Sequence, residues 1–405
     1  MDKSRVLLLK IMSSVLFGSK LPDLNDVNWE DLFTEAKMQT VFLQVFNVVS
    51  PFLPESEVSA WETGAGKIYA QNLEISREHG RMHKVMTSNG IPYVSIKGLA
   101  SGKYYPQPLD RTFGDVDLVV APDRMERAYK LLLDLGYKMT ESKRVDYSNE
   151  IELHIDQGAH HVVVELHPQV GVLPPDRAGE LVRGYMSELI ESGQEYGIGE
   201  DTCMIPDERH HCLILLIHMA GHLTSEGIGL RHLCDWAAFV NHIPDEEFCE
   251  KYIPMLRDCG LFRFAQVMTL VCEKYLKMPQ KSWSGEADPD LLKGLIKDIL
   301  TGGNFGHKDP SRNQQIKYLK NYGEGTVASN NPVRQGMHSI HVKAKNRHPV
   351  LMKYYITYPL GWGAVSIDYG WMLITGKRER NNPVTTIKEA EKRNKIYQEL
   401  DLYKI

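Results

Sequence analysis

Two aspartates define the chemistry this sequence can do. In Asp115-Val116-Asp117-Leu118-Val119-Val120, strand alternation puts both carboxylates on one face and Val116, Leu118 and Val120 on the other. The acids then lie roughly 6–7 Å apart along the strand. Carboxylates at that separation can share divalent cations, which take oxygen ligands and keep positions for substrate phosphates. The pattern suits metal-assisted phosphoryl or nucleotidyl transfer. Further on, Val162-Val163-Val164-Glu165-Leu166-His167 alternates in the same way, with Val163, Glu165 and His167 sharing a face. A glutamate there, on a strand beside the Asp-x-Asp strand, supplies a third carboxylate.

These groups need elements to hold them. Ile91 to Ile96 is short and apolar and reads as a strand, followed by Lys97-Gly98 and a helix. Gly98 lets the backbone approach a ligand closely, and Lys97 has the length to reach a triphosphate. Arg111 falls just before the Asp-x-Asp strand. After that strand, Pro122-Asp123 opens a helix from Arg124 to Leu135, closed by Gly136. A strand from Tyr137 to Thr140 and the runs Ile151–Ile155 and Val162–His167 complete a small mixed α/β sheet, placed in a unit at 91–175.

The flanks read as helical. Residues 1–90 form an N-terminal helical region whose last helix runs from Ser56 to Ser88 and stops at Asn89-Gly90, and no chemistry is visible in it. A second helical domain at 176–280 contains Cys212–Leu223, Arg231–Val240 and Phe262–Tyr275. Residues 281–405 form a C-terminal region: loops and short helices to about 345, an aromatic segment at 350–374, and a charged terminal helix. The aromatic segment, with Tyr354, Tyr355, Tyr358, Trp362 and Trp371, is expected to pack on the protein's own core. Peripheral contact with a membrane or partner is the alternative.

Composition narrows the class. With 42% hydrophobic and 24% charged residues, the 405-residue chain has the make-up of a soluble globular protein. A net charge of −5 disfavours nucleic acid as partner, because that binding rests on neutralising phosphates. Six cysteines without a C-x-x-C pair fit reduced thiols in a cytoplasmic protein. No signal peptide and no membrane-spanning run is read. His218 and His222 stand four apart, but H-E-x-x-H lacks its glutamate here, so they read as buried histidines at a domain junction. Arg231 and Asp235 are also four apart, either paired on their helix or with Arg231 reaching a nucleotide. Neither a G-x-x-x-x-G-K-[ST] loop nor a kinase catalytic loop is present.

The order strand, Lys97-Gly98, Arg111, Asp115-x-Asp117, helix, strands, Glu165-Leu166-His167 resembles the uncharacterised nucleotidyltransferase family of the DNA polymerase β superfold. His218-Met219-Ala220-Gly221-His222 and Gly229-Leu230-Arg231-His232-Leu233-Cys234-Asp235 resemble that family's helical half, and the likeness covers roughly residues 25 to 245. It implies an α+β protein: a small nucleotidyltransferase sheet between helical regions, with two Mg²⁺ (or Mn²⁺) ions and an NTP as substrate. Asp115 and Asp117 match the metal-binding pair, and Glu165 is the favoured third acid over Glu152 on a neighbouring strand. Lys97 and Arg111 are expected to balance the triphosphate's charge, with Gly98 at the close turn and Arg231 reaching the nucleotide from the helical half; the superfold's Gly-Ser at the first turn is Lys97-Gly98 here. The acceptor is a small molecule, peptide or protein. A lapsed nucleotide-binding or partner-binding module on the same fold is the rival expectation.

Overall fold

The computed structural model describes residues 2–140, 145–157, 160–309 and 311–315, separate positions between 337 and 348, and residues 350–374 and 383–405. The chain enters through α1 (Lys3–Phe17), α2 (Trp29–Met38), α3 (Phe42–Val49) and the 34-residue α4 (Glu55–Ser88). β1 (Tyr93–Ile96) turns into the short α5 (Gly98–Gly102), and β2 (Val116–Val120) follows after an irregular segment. Then come α6 (Met125–Asp134), β3 (Lys138–Met139), β4 (Ile151–Gln157) and β5 (His160–His167).

These strands make one five-stranded sheet in the order β1-β2-β5-β4-β3. Only β2 and β5 run parallel; the β1–β2, β5–β4 and β4–β3 pairs are antiparallel. Alternation gives the sheet two different faces. Val116, Leu118, Val120, Leu153, Val164 and Leu166 are buried with Met82 and Met86 of α4 and with Met125, Ala128 and Leu132 of α6. Val94, Ile96 and Val119 point the other way, into a larger core built from the helices. The strand carrying the acids is thus held from behind by an apolar layer, as its pattern predicts.

That larger core joins both ends of the chain. It takes in α1 to α3, α7 (Arg177–Met186), α8 (Glu208–Leu223), α9 (Leu230–His242), the helix Phe262–Val271 and the C-terminal residues Tyr397, Leu400, Leu402 and Tyr403. Asp207 caps α8 by accepting from the backbone N–H of His210. All six cysteines are free thiols and only Cys249 is exposed.

Three expectations differ from the structure. A hairpin, β6 (Gln194–Ile198) and β7 (Asp201–Ile205), lies within the stretch expected to be helical, and Cys203 and Ile205 pack it against the sheet's core. A 14-residue helix, Pro289–Gly302, replaces part of the expected loops, because Leu291, Leu292, Leu295, Ile296, Ile299 and Leu300 recur at helical spacing and are all buried; residues 316–336 of that stretch lie outside the described residues. The aromatic segment does not bury itself in the main core. Among its described side chains, Tyr358, Trp362 and Val365 of the helix Tyr358–Ile374 pack with Ala344 and Met352 in a small cluster of their own, while Tyr355, Leu360 and Ile367 stay exposed. No helix among the described residues is long and apolar enough to cross a membrane.

Candidate active site

The parallel pairing of β2 with β5 sets Asp117 directly opposite Glu165. Glu152 sits opposite Glu165 on the far side, one strand further out. Two strand spacings, roughly 9–10 Å, then separate it from Asp117. Asp115 lies just before β2, at the mouth of a cavity, while Asp117 is inside the strand and almost fully buried.

Asp117 is the centre of the site. Lys97 Nζ lies 2.6 Å from its Oδ1, and His167 Nε2 lies 2.9 Å from the same oxygen. The other oxygen, Oδ2, is buried with no hydrogen-bond partner. An ionised oxygen left bare in a protein interior is costly, so a missing positive partner is the natural complement. His167 Nε2 is also 3.2 Å from Glu165 Oε2, and its Nδ1 is 3.4 Å from Glu150 Oε2. Asp117, Glu165 and His167 each offer a ligand atom within 4.8 Å of the others, a donor set that can hold a metal ion. His167 shares the face of Glu165 on β5, as strand alternation places it.

The electrostatics are those of a strained cluster. Burial pushes the Asp117 carboxyl upward, but the Lys97 charge and the His167 hydrogen bond outweigh it and hold the group below its usual range. Burial, helped by the charges of Asp117 and Glu165, raises Asp115 to about 7. Glu165 is raised mainly by burial. His167 is lifted to about 9: burial opposes its charge, and the hydrogen bonds to Asp117 and Glu165 override it. Carboxylates whose environments push them apart in this way are a mark of functional sites.

The backbone contributes at Lys97. Its φ of 58° and ψ of −126° belong to the first central position of a type II′ turn, where glycine is the usual occupant. The lysine itself, and not Gly98, takes the positive φ of this turn. Holding a side chain there costs of order 1–3 kcal/mol and aims the ammonium at Asp117.

The remaining cations split. Arg111, expected beside phosphates, is buried with Nε 2.7 Å from Asp235 Oδ1 and Nη2 2.7 Å from Asp235 Oδ2. Tyr105 donates to the same Oδ1 at 2.7 Å. Asp235 therefore pairs with Arg111 rather than with Arg231 on its own helix. Arg231 donates to Thr112 O at 3.2 Å and its Nε is buried without a partner. The segment before Asp115 is also clamped from α4, a region in which the sequence had suggested no role. Asn72 donates to Leu109 O at 2.6 Å and Arg111 O at 2.9 Å, and accepts from Phe113 N at 2.9 Å.

Two cavities meet at Lys97. One, of about 310 Å³, is bounded by Gly98, Asp115, Arg231, His232 and Phe305. The other, of about 390 Å³, is bounded by Glu150, His167, His222, Glu226 and Tyr403. The rings of His218, His222 and His232 stand 4.4 to 5.8 Å apart around Phe305, between the cavities. His218 and His222, expected to be buried, are half-buried between the two cavities and belong to no metal-binding cluster among the described residues.

No curated protein matches the chain. A family model described as uncharacterised nucleotidyltransferase matches residues 25–277, well over half of the chain and beyond the stretch recognised from its motifs. The chain belongs to this uncharacterised nucleotidyltransferase family.

Proposed function

We propose that the protein moves a nucleoside monophosphate from an NTP to the hydroxyl of an acceptor and releases pyrophosphate. The observation that carries this reading is Asp117: a buried carboxylate with one oxygen unpartnered, Glu165 opposite it in register, and Asp115 two residues away. The donor set fits a divalent cation. When bound, divalent ions supply Lewis-acid activation of the acceptor hydroxyl and neutralise the departing pyrophosphate.

The chain's own groups do the rest. Asp117 and Glu165 would hold a cation on the acceptor side, and Asp115, with Asp117, would hold one on the nucleotide side. Glu165, held above its usual range by burial, is the base that takes the acceptor's proton. The attacking oxygen bonds to the α-phosphorus as the bond from that phosphorus to the bridging oxygen breaks. Lys97 and Arg231 face the triphosphate. Arg111 holds the segment leading to Asp115 against α9, a positioning role. The cavity beside Asp115 suits the nucleotide, since Ser101 Oγ, Thr112 Oγ1, Arg231 Nε, His232 Nε2 and Asn304 Oδ1 around it are buried without partners. The cavity beside His167 then receives the acceptor.

The test is pyrophosphate release from each of the four NTPs with Mg²⁺ or Mn²⁺, in the presence of a small-molecule extract or a peptide and protein fraction. Metal-dependent pyrophosphate from a single NTP, absent with Asp117→Asn, is the expected result. Orthophosphate in place of pyrophosphate contradicts it. One observation favours a second reading, a lapsed binding module: the Lys97 ammonium already neutralises Asp117. That reading predicts nucleotide binding that ignores divalent ions.

A further inference from the structure

We propose that His167 is itself a ligand of the cation held by Asp117 and Glu165, and that its imidazole makes this position select Mn²⁺ over Mg²⁺. The inference rests on the metal-assisted reading above and concerns which ion occupies the acceptor side.

Three observations support it. The first is spacing. Neighbouring ligands around an octahedral ion at roughly 2.1 Å lie about 3 Å from each other. His167 Nε2 is 2.9 Å from Asp117 Oδ1 and 3.2 Å from Glu165 Oε2, two separations that suit neighbouring ligands on one ion, and one ligand atom from each residue lies within 4.8 Å of the others. The second is the unpartnered Oδ2 of Asp117, buried at the same place, which leaves a carboxylate oxygen open to a ligand independently of the histidine. The third is outside the cluster. His167 Nδ1 faces Glu150 Oε2 at 3.4 Å, so that a cation taking the place of the Nε2 proton now shared with Asp117 would leave the ring's other proton facing a carboxylate, the usual setting of a metal-bound histidine.

The chemistry of the donor set then decides the ion. Mg²⁺ is hard and is served by oxygens, whereas an imidazole nitrogen favours first-row transition ions. Mn²⁺ accepts the octahedral, oxygen-rich geometry that a phosphate-handling site needs and also tolerates nitrogen. Asp115 lies outside the three-residue cluster, so the imidazole of His167 belongs to the Asp117–Glu165 position alone. The two positions are chemically unequal, and a histidine two residues after Glu165 creates the difference.

The test uses the full chain, stripped of metal and free of nucleotide. Mn²⁺ binding is followed by electron paramagnetic resonance, with Mg²⁺ as competitor, and pulsed spectra report directly bound nitrogen. The expected result is Mn²⁺ held about tenfold or more tighter than Mg²⁺, with a nitrogen coupling in the bound signal. His167→Gln should abolish the coupling and bring the two affinities close together while its melting curve stays cooperative. His167→Asn serves if the longer amide perturbs folding. Mn²⁺ bound without nitrogen coupling, or a Mn²⁺ preference unchanged in either variant, overturns the inference and leaves the metal-assisted reading intact. Failure of the wild-type chain to bind either ion, with or without an NTP, overturns both.

Discussion

Two ion pairs beside Asp115, one joining Arg111 to Asp235 and one joining Lys97 and His167 to Asp117, are built to opposite standards. In the first, Asp235 has both oxygens occupied: Oδ1 by Arg111 Nε and Tyr105, Oδ2 by Arg111 Nη2. In the second, Lys97 and His167 crowd a single oxygen of Asp117 and leave the other bare. A satisfied pair joins elements; it brings residues 124 apart in sequence together and ties the sheet to α9. An unsatisfied pair has paid desolvation without full return, which proteins tolerate mainly where function requires it. The contrast separates the charged groups that hold the molecule together from those that act.

The sharpest way to break the comparison is to neutralise one acid from each pair. Asp117→Asn should lower nucleotidyl transfer by at least about a thousandfold, since it removes the shared ligand of the proposed ions, while unfolding stays cooperative. Loss of folding together with activity would mean that Asp117 is structural after all. Arg111→Met should do the reverse at the other pair. It leaves Asp235 buried and unpaired and should cost about 3–5 kcal/mol in urea unfolding. A cost below about 1 kcal/mol would show that this junction is no anchor.

Lys97→Met sharpens the account of the second pair. Without the ammonium, Asp117 is free for a cation, so apo-protein affinity for Mn²⁺ should rise, whereas NTP affinity should fall by about tenfold for the lost phosphate contact. Calorimetry on both ligands reads the two changes separately, and parallel changes would contradict the dual role.

The smallest expected effect concerns acid stability. Burial lowers His79 to about 4, against the charge of Asp117, and lowers His211 to about 3. Below the ordinary value of 6.5 the unfolded chain takes up these protons and the folded one does not, so stability falls as pH falls. Between pH 6.5 and 5.5 the loss per histidine is at most about 1.4 kcal/mol. Neither ring nitrogen of His211 has a partner, and Tyr104 and Phe239 lie 5.0 and 5.5 Å away. His211→Phe should therefore keep the packing and flatten the urea midpoint against pH over that interval. An unchanged slope would show that His211 does not stay neutral in the fold.

What could be read from the sequence follows from how local each signal is. Alternation along Val116–Val120 and Val162–Leu166 places the acids on one face with an apolar layer behind, because strand periodicity is a property of the backbone. The register that puts Glu165, and not Glu152, next to Asp117 comes from strand pairing, which local pattern leaves open. The Arg111–Asp235 pair and the Asn72 clamp depend on contacts across 124 and 39 residues, so no spacing rule reaches them. Lys97 takes a glycine's backbone geometry without being a glycine, and nothing in its neighbourhood announces it. His167 was legible by position, two residues from Glu165 on the same face, but its partners Asp117 and Glu150 had to be placed before its chemistry could be seen.

The most direct test of the central claim is calorimetric binding of ATP, GTP, CTP and UTP, each with and without divalent metal, to the wild-type chain and to Asp117→Asn. Binding of one NTP that requires the metal and disappears in the variant is the predicted result. Binding that is indifferent to both the metal and Asp117 would contradict the account and mark the fold as a module that holds ligands without transferring them.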